Sequence, residues 1–171
     1  MRAATICLLA GLATANFAFA DSSSDTGWFG ARTKSVETPV VLPGAPSDLL
    51  KVHITAGGTL QFFVDRTSIS VQPGQIVRYT LVAKTPDGPS NVSYESINCA
   101  LGQWKLHAIW DTSSKRWSTA VGNDWQRIPE NGATRIHSTL FNDDFCRDRV
   151  VNGTPVEMAQ RIEQGLRALP D

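Results

Sequence analysis

The sequence is poor in the residues that most directly announce a reaction. It has three histidines and three cysteines in 171 residues. No two of His53, His107 and His137 stand at metal-ligand spacing. There is no G-x-S-x-G elbow, no H-E-x-x-H, no S-x-x-K with its partner motifs and no P-loop. These gaps argue against a hydrolase, a zinc site and a nucleotide site, so no cofactor and no enzyme activity are expected. An excess of charge is missing too. Sixteen basic residues face sixteen acidic ones, and the bases are scattered. Neither a nucleic acid nor an anionic membrane surface is an expected partner. Beyond residue 20 no apolar run is long enough to span a bilayer.

What is present begins at the N-terminus. Arg2 precedes an uncharged, mostly small and apolar run from Ala3 to Ala20, which ends in Ala18-Phe19-Ala20. A positive start, an apolar middle and an A-x-A end make a signal peptide, with cleavage expected before Asp21. No lipobox cysteine stands at that boundary, so no lipid anchor is expected. Cys7 leaves with the signal. Cys99 and Cys146 then remain in an oxidising compartment, where they are expected to form one disulfide.

Residues 21–47 are rich in Ser, Thr, Gly and Pro and read as a flexible leader that stiffens toward Pro39, Pro43 and Pro46. Trp28-Phe29 interrupts its polarity and could dock on the domain's own surface or on a partner. Residues 48–171 read as one domain. Short alternating segments run from Leu49 to about Thr119 at roughly ten-residue spacing, which predicts an antiparallel meander. Ile76–Lys84 is the clearest. Val77, Tyr79, Leu81 and Ala83 point one way; Arg78, Thr80, Val82 and Lys84 point the other. Leu106, Ala108 and Trp110 alternate likewise, and Trp110 and Trp117 flank a turn across which they could meet.

The C-terminal third turns helical. Ile136, Leu140 and Phe141 stand at helical spacing. Thr154, Pro155 and Glu157 form a capping box, and Met158, Ile162, Leu166 and Leu169 make one apolar stripe. Asp143-Asp144 reads as a solvated pair at a helix end. The fold expected is α+β: an antiparallel β-sheet with C-terminal helices packed on one face. The disulfide would pin the helical part to the sheet. Arg78, Thr80 and Lys84 would lie on the uncovered face, as a partner-docking surface or as the ordinary solvated side of a sheet.

Three blocks carry a family resemblance: Phe62-Phe63-Val64-Asp65-Arg66-Thr67-Ser68-Ile69-Ser70-Val71, Val77-Arg78-Tyr79-Thr80-Leu81-Val82, and Asn91 through Cys99. With Trp125, Ile128-Pro129 and Leu140 through Cys146, they resemble the cryptic neisserial protein 1-like family across about Leu49 to Leu169. Where the family shows Cys-Pro, this chain has Cys146-Arg147. The resemblance implies an exported protein of the Gram-negative periplasm with no assigned activity and no catalytic residues to carry over. More distantly, the V-D-x-x-S-I strand and the two cysteine-bearing elements are similar to surface-adhesin protein E. The expected function is a non-enzymatic periplasmic module that binds or supports an envelope protein. Its rivals are a surface or secreted adhesin-like module and a small hydrolase with a cryptic site.

Overall fold

A computed structural model describes residues 38–54, 59–86, 88–119, 124–128 and 135–165. The expected signal peptide, Trp28-Phe29 and the last two residues of the apolar stripe, Leu166 and Leu169, lie outside the described residues. All described residues belong to one compact unit, 35–171.

Strands come first and helices last. β1 is Leu49–Val52, β2 Gln61–Asp65, β3 Ser70–Gln72, β4 Ile76–Lys84, β5 Ser90–Asn98, β6 Gln103–Asp111, β7 Arg116–Thr119 and β8 Gln126–Arg127. Then come α1 (Arg135–Thr139), a π-helical turn (Leu140–Phe145), β9 (Cys146–Arg147), β10 (Val150–Val151) and α2 (Pro155–Gly165). The main sheet runs β1-β2-β4-β5-β6-β7, with β3 also pairing β4 and β8 also pairing β6. Every pairing is antiparallel. The class is α+β, as the sequence pattern implies.

β4 and β5 form the spine, in register from Ile76 opposite Asn98 to Lys84 opposite Ser90. One face of this spine carries Val77, Tyr79, Leu81 and Ile97. These pack with Ile136, Leu140, Phe145, Met158 and Ile162 into a single core. Met158 and Ile162 are fully buried, and each contributes about 1.5–3 kcal/mol by leaving water. The capping box forms as expected. The Glu157 carboxylate accepts from the backbone N–H and hydroxyl of Thr154, and the Glu157 N–H approaches Thr154 Oγ1. Gly153 leads into it at φ +85°, where a Cβ would stand 2.5 Å from Glu157 Oε2. Only glycine fits there.

Cys99 follows β5 and Cys146 opens β9. They are joined, with Cα atoms 5.5 Å apart. The bridge fastens the helical layer to the sheet.

β6 departs from its pattern. Tyr94 pairs with Ala108, but Glu95 pairs with Leu106, so His107 is an extra residue in a β-bulge. Leu106 therefore lies on the Glu95 face, whereas Ala108 and Trp110 lie on the Tyr94 face. The expectation that all three share one face is corrected. Trp110 and Trp117 do meet, directly opposite each other with rings 5.2 Å apart.

The V-D-x-x-S-I stretch is a structural hub. Asp65 Oδ1 accepts from the N–H groups of Ser47 and Asp48, at 3.2 and 2.9 Å, and Oδ2 accepts from the Thr67 hydroxyl at 2.8 Å. Ser68 donates to the Asp65 carbonyl and accepts from the Thr80 N–H, both at 2.7 Å. These bonds tie the entry to β1, the end of β2 and the middle of β4 together.

Candidate functional site

The chemistry-bearing side chains fall into three places. The first is inside the helix-covered face. Tyr79 and Glu95 are cross-strand partners on β4 and β5. Glu95 Oε2 accepts from the Tyr79 hydroxyl at 3.0 Å and lies 2.8 Å from His137 Nε2; Oε1 accepts from Ser93 at 2.6 Å. An ionised carboxylate only accepts, which places a proton on His137 Nε2. The imidazole, carried by α1, stacks on Trp104 with ring centroids 4.0 Å apart. His137 Nδ1 is buried without a partner among the described residues. Burial, and then the Glu95 charge, push the Tyr79 phenol well above its ordinary pKa, so it remains a donor.

A carboxylate, an imidazole and a phenol could serve catalysis, but here they are closed in. Glu95 and His137 are 4% and 5% exposed, and Tyr79 is fully buried. None of the three lines either surface groove described below. Sequence reasoning missed this cluster because its members lie on three elements and form no motif. The one available sign was an acidic residue at the same strand parity as Ile97.

The other two histidines stand elsewhere. His107, in the bulge, is on the opposite face, 2.7 Å from Ser96 Oγ and with its ring 5.9 Å from that of Tyr94. His53 follows β1. Four strand spacings separate β1 from β6, about 19 Å, so His53 and His107 do not face each other.

The second place is the expected partner face. Arg78 and Thr80 are buried, at 3% and 0% exposure, and Lys84 is half-buried over the Phe63 ring. The expectation of an open surface is corrected at Arg78 and Thr80. Residues 38–43, read as the end of a flexible leader, lie against this face. The Arg78 guanidinium donates to the carbonyls of Thr38 and Pro39, at 2.5 and 3.0 Å. Trp117 Nε1 donates to the Pro43 carbonyl at 2.7 Å. Alternation told which residues share a face; it held no information on what covers them.

The third place is open. Two grooves, of about 520 and 360 Å³, share Phe141, Asn142 and Arg149 as walls. The larger continues past Asp143, Arg147, Asp148, Asn152 and Arg161, so two carboxylates share its lining with the arginines; the smaller reaches Arg127, Ile128 and Ser138. Arg147 and Val150 pair across a two-residue turn made by Asp148 and Arg149 at φ +51° and +64°. Asn-Gly is the usual choice for consecutive left-handed residues in a hairpin. An arginine there is held in a conformation that costs on the order of 1 kcal/mol.

Charge sets this region apart. Arg66 is engaged by two carboxylates, Asp48 and Glu163. Among the described residues, no such ion pair engages Arg127, Arg147, Arg149 or Arg161. Arg161 is bonded to the carbonyls of Asp144 and Asn152, which fix it without neutralising it. Asp144 is buried rather than solvated, which corrects the reading of Asp143-Asp144 as an exposed pair. Burial, then the adjacent Asp143 charge, raise the Asp144 carboxyl to about 7, against a smaller pull from Arg161. Near neutral pH it therefore offsets less of the arginine charge than an ordinary aspartate.

The family model described as CNP1-like family matches residues 31–163, and the chain belongs to that family. No curated protein and no solved structure matches it, and nothing in these comparisons supports the resemblance to surface-adhesin protein E.

Proposed function

We propose that this member of the CNP1-like family is an exported, non-enzymatic binding module of the cell envelope, which takes an acidic segment of a partner protein in the arginine-rimmed grooves. The observation that carries the reading is a set of four guanidiniums around adjoining grooves, none ion-paired among the described residues. Guanidinium forks match carboxylates in geometry and lose less on desolvation than ammonium groups. Phe141 supplies an apolar wall, and Asn142, Asn152 and Ser138 supply neutral hydrogen-bonding groups. Closure of the Glu95 cluster supports binding over catalysis. The signal-like N-terminus and the disulfide support an oxidising, periplasmic address.

The test is fluorescence anisotropy with a labelled hexaglutamate peptide at low salt, with inorganic phosphate as a second probe. The peptide should bind, and binding should weaken as salt rises. Reversing two charges, Arg147→Glu with Arg149→Glu, should weaken it at least about tenfold. Phosphate binding without peptide binding would identify a small-anion site instead. Absence of peptide binding, or indifference to the double reversal, would overturn the proposal.

A further inference from the structure

The opposite face of the sheet carries a second recognition chemistry. We infer that Arg78, Tyr94, Trp110 and Trp117 form a surface for extended proline-rich segments. In this chain it is filled by residues 38–43. A partner segment of the same kind takes their place when they leave. The inference is independent of the arginine grooves.

The occupying stretch reads Thr38-Pro39-Val40-Val41-Leu42-Pro43. It is held to this face largely through its carbonyls. Those of Thr38 and Pro39 accept from Arg78, and that of Pro43 accepts from Trp117 Nε1. Arg78 is on β4 and Trp117 on β7, three strand spacings or about 14 Å apart across the sheet, and the register sets Trp117 level with Val82, four residues or about 13 Å further along it. Four residues in extended or polyproline form cover about 12–13 Å. The segment bonded at Pro39 and Pro43 therefore runs diagonally to the strands, and the long Arg78 side chain spans part of the distance. Beside it the Trp117 ring meets Trp110 edge-on at 5.2 Å and Tyr94 at 6.1 Å. Packed aromatic rings, an indole N–H donor and an extended proline-bearing chain are the ingredients of polyproline recognition.

Two observations mark the occupant as replaceable. Its cover is loose in the middle: Val41 is 80% exposed and Val40 38%, while Thr38, Leu42 and Pro43 are half-buried. On the face it covers, Arg78 Nε and Thr80 Oγ1 are buried with no hydrogen-bond partner among the described residues. The chain's own segment leaves those two polar atoms unsatisfied, and a segment presenting one more polar group there would bind better. Carbonyl contacts tolerate other side chains so long as the chain is held extended, as proline holds it; a flexible glycine–serine stretch lacks that bias and competes weakly. Tethering gives the resident segment an effective concentration in the millimolar range, which keeps it in place until it is outcompeted or withdrawn.

The test uses the full chain with residues 39–43 replaced by glycine and serine at unchanged length. A synthetic peptide of residues 36–47 is titrated and followed by tryptophan fluorescence. The replaced chain should bind it at least about tenfold more tightly than the unaltered chain, where the resident segment competes. Adding Trp117→Phe, which keeps a ring but removes the donor, should weaken binding about fivefold. If the replaced chain fails to fold, the unaltered chain carries the test through elastase cleavage between Val41 and Leu42. Excess decaproline, which elastase does not cut, should accelerate that cleavage by displacing the segment. No binding to a folded replaced chain, no effect of Trp117→Phe, or a cleavage rate indifferent to decaproline would each overturn the inference.

Discussion

The two faces of the central sheet are closed by different means. On the Tyr79 face, α1, the π-helical turn and α2 bring large apolar side chains, and a disulfide holds them down. On the Arg78 face, residues 38–43 lie across the strands and are bonded mainly through backbone carbonyls. The polar groups beneath are treated differently as well. On the Tyr79 face Glu95 has three side-chain partners and His137 Nδ1 alone of that cluster has none, whereas on the Arg78 face both Arg78 Nε and Thr80 Oγ1 have none among the described residues. The first face stabilises the molecule. The second is covered but only partly satisfied, and on the inference above its cover is exchangeable.

This contrast orders the expected effects of mutation. The largest belongs to Glu95→Ala, which leaves Tyr79, Ser93 and His137 facing a cavity. It should destabilise by about 3–5 kcal/mol in urea unfolding. A change under about 1 kcal/mol would show that the helix-covered cluster is not a structural centre and would erase the distinction between the faces.

Next comes the bridge. Replacing Cys99 and Cys146 by serine opens a loop with a sequence separation of 47. The expected loss is about 4 kcal/mol on the chain-entropy account, read from the shift in urea midpoint.

Asp144 sharpens the comparison through pH. Its folded carboxyl holds a proton up to about pH 7, against an ordinary value of 3.8. Between those values the native state binds more protons than the unfolded chain, so stability should fall as pH rises from about 4 through 7. Asp144→Asn removes that dependence. At pH 8 the variant should be more stable than the parent by roughly 2–4 kcal/mol, and at pH 4 nearly equal to it. Parallel pH profiles for the two proteins would refute the assignment.

On the Arg78 face the effects shrink. Trp117→Phe loses one hydrogen bond to a carbonyl that water can then reach, so it should cost about 1 kcal/mol or less. A loss near that of Glu95→Ala would mean that the two faces are equally integral. The smallest change expected is a gain. Arg149→Gly relaxes a left-handed residue and should stabilise by about 0.5–1 kcal/mol while weakening binding of acidic peptide. A destabilised variant would show that the strained turn is held by contacts to the Arg149 side chain.

The sequence disclosed regular local order and little of the long-range polar design. β4 begins and ends where alternation and turn residues place it, because strand periodicity is local. The α2 start was equally plain, since Thr154, Pro155 and Glu157 act within one turn. The bulge at His107 was hidden because Leu106, Ala108 and Trp110 alternate smoothly through it; only the pairing with Tyr94 and Glu95 exposes the extra residue. Glu95 and His137 are 42 residues apart, and nothing local couples them. Parity alone makes Arg78 exposed, because a charged residue on the alternate face of a strand usually is. Its cover comes from a stretch whose composition suggests mobility, and which is bonded there by three carbonyls and by the Thr38 hydroxyl donating to Gln72.

The most direct test of the account is an NMR titration of the ¹⁵N- and ¹³C-labelled protein with hexaglutamate peptide. The arginine side-chain Nε–H and aromatic resonances are followed together with the backbone. The account predicts that Arg147, Arg149, Arg161 and Phe141 shift with ligand while Tyr79, Glu95 and His137 stay fixed. Shifts centred on His137 and Glu95, with the arginine signals unmoved, would contradict it by showing that the closed polar centre is the working site.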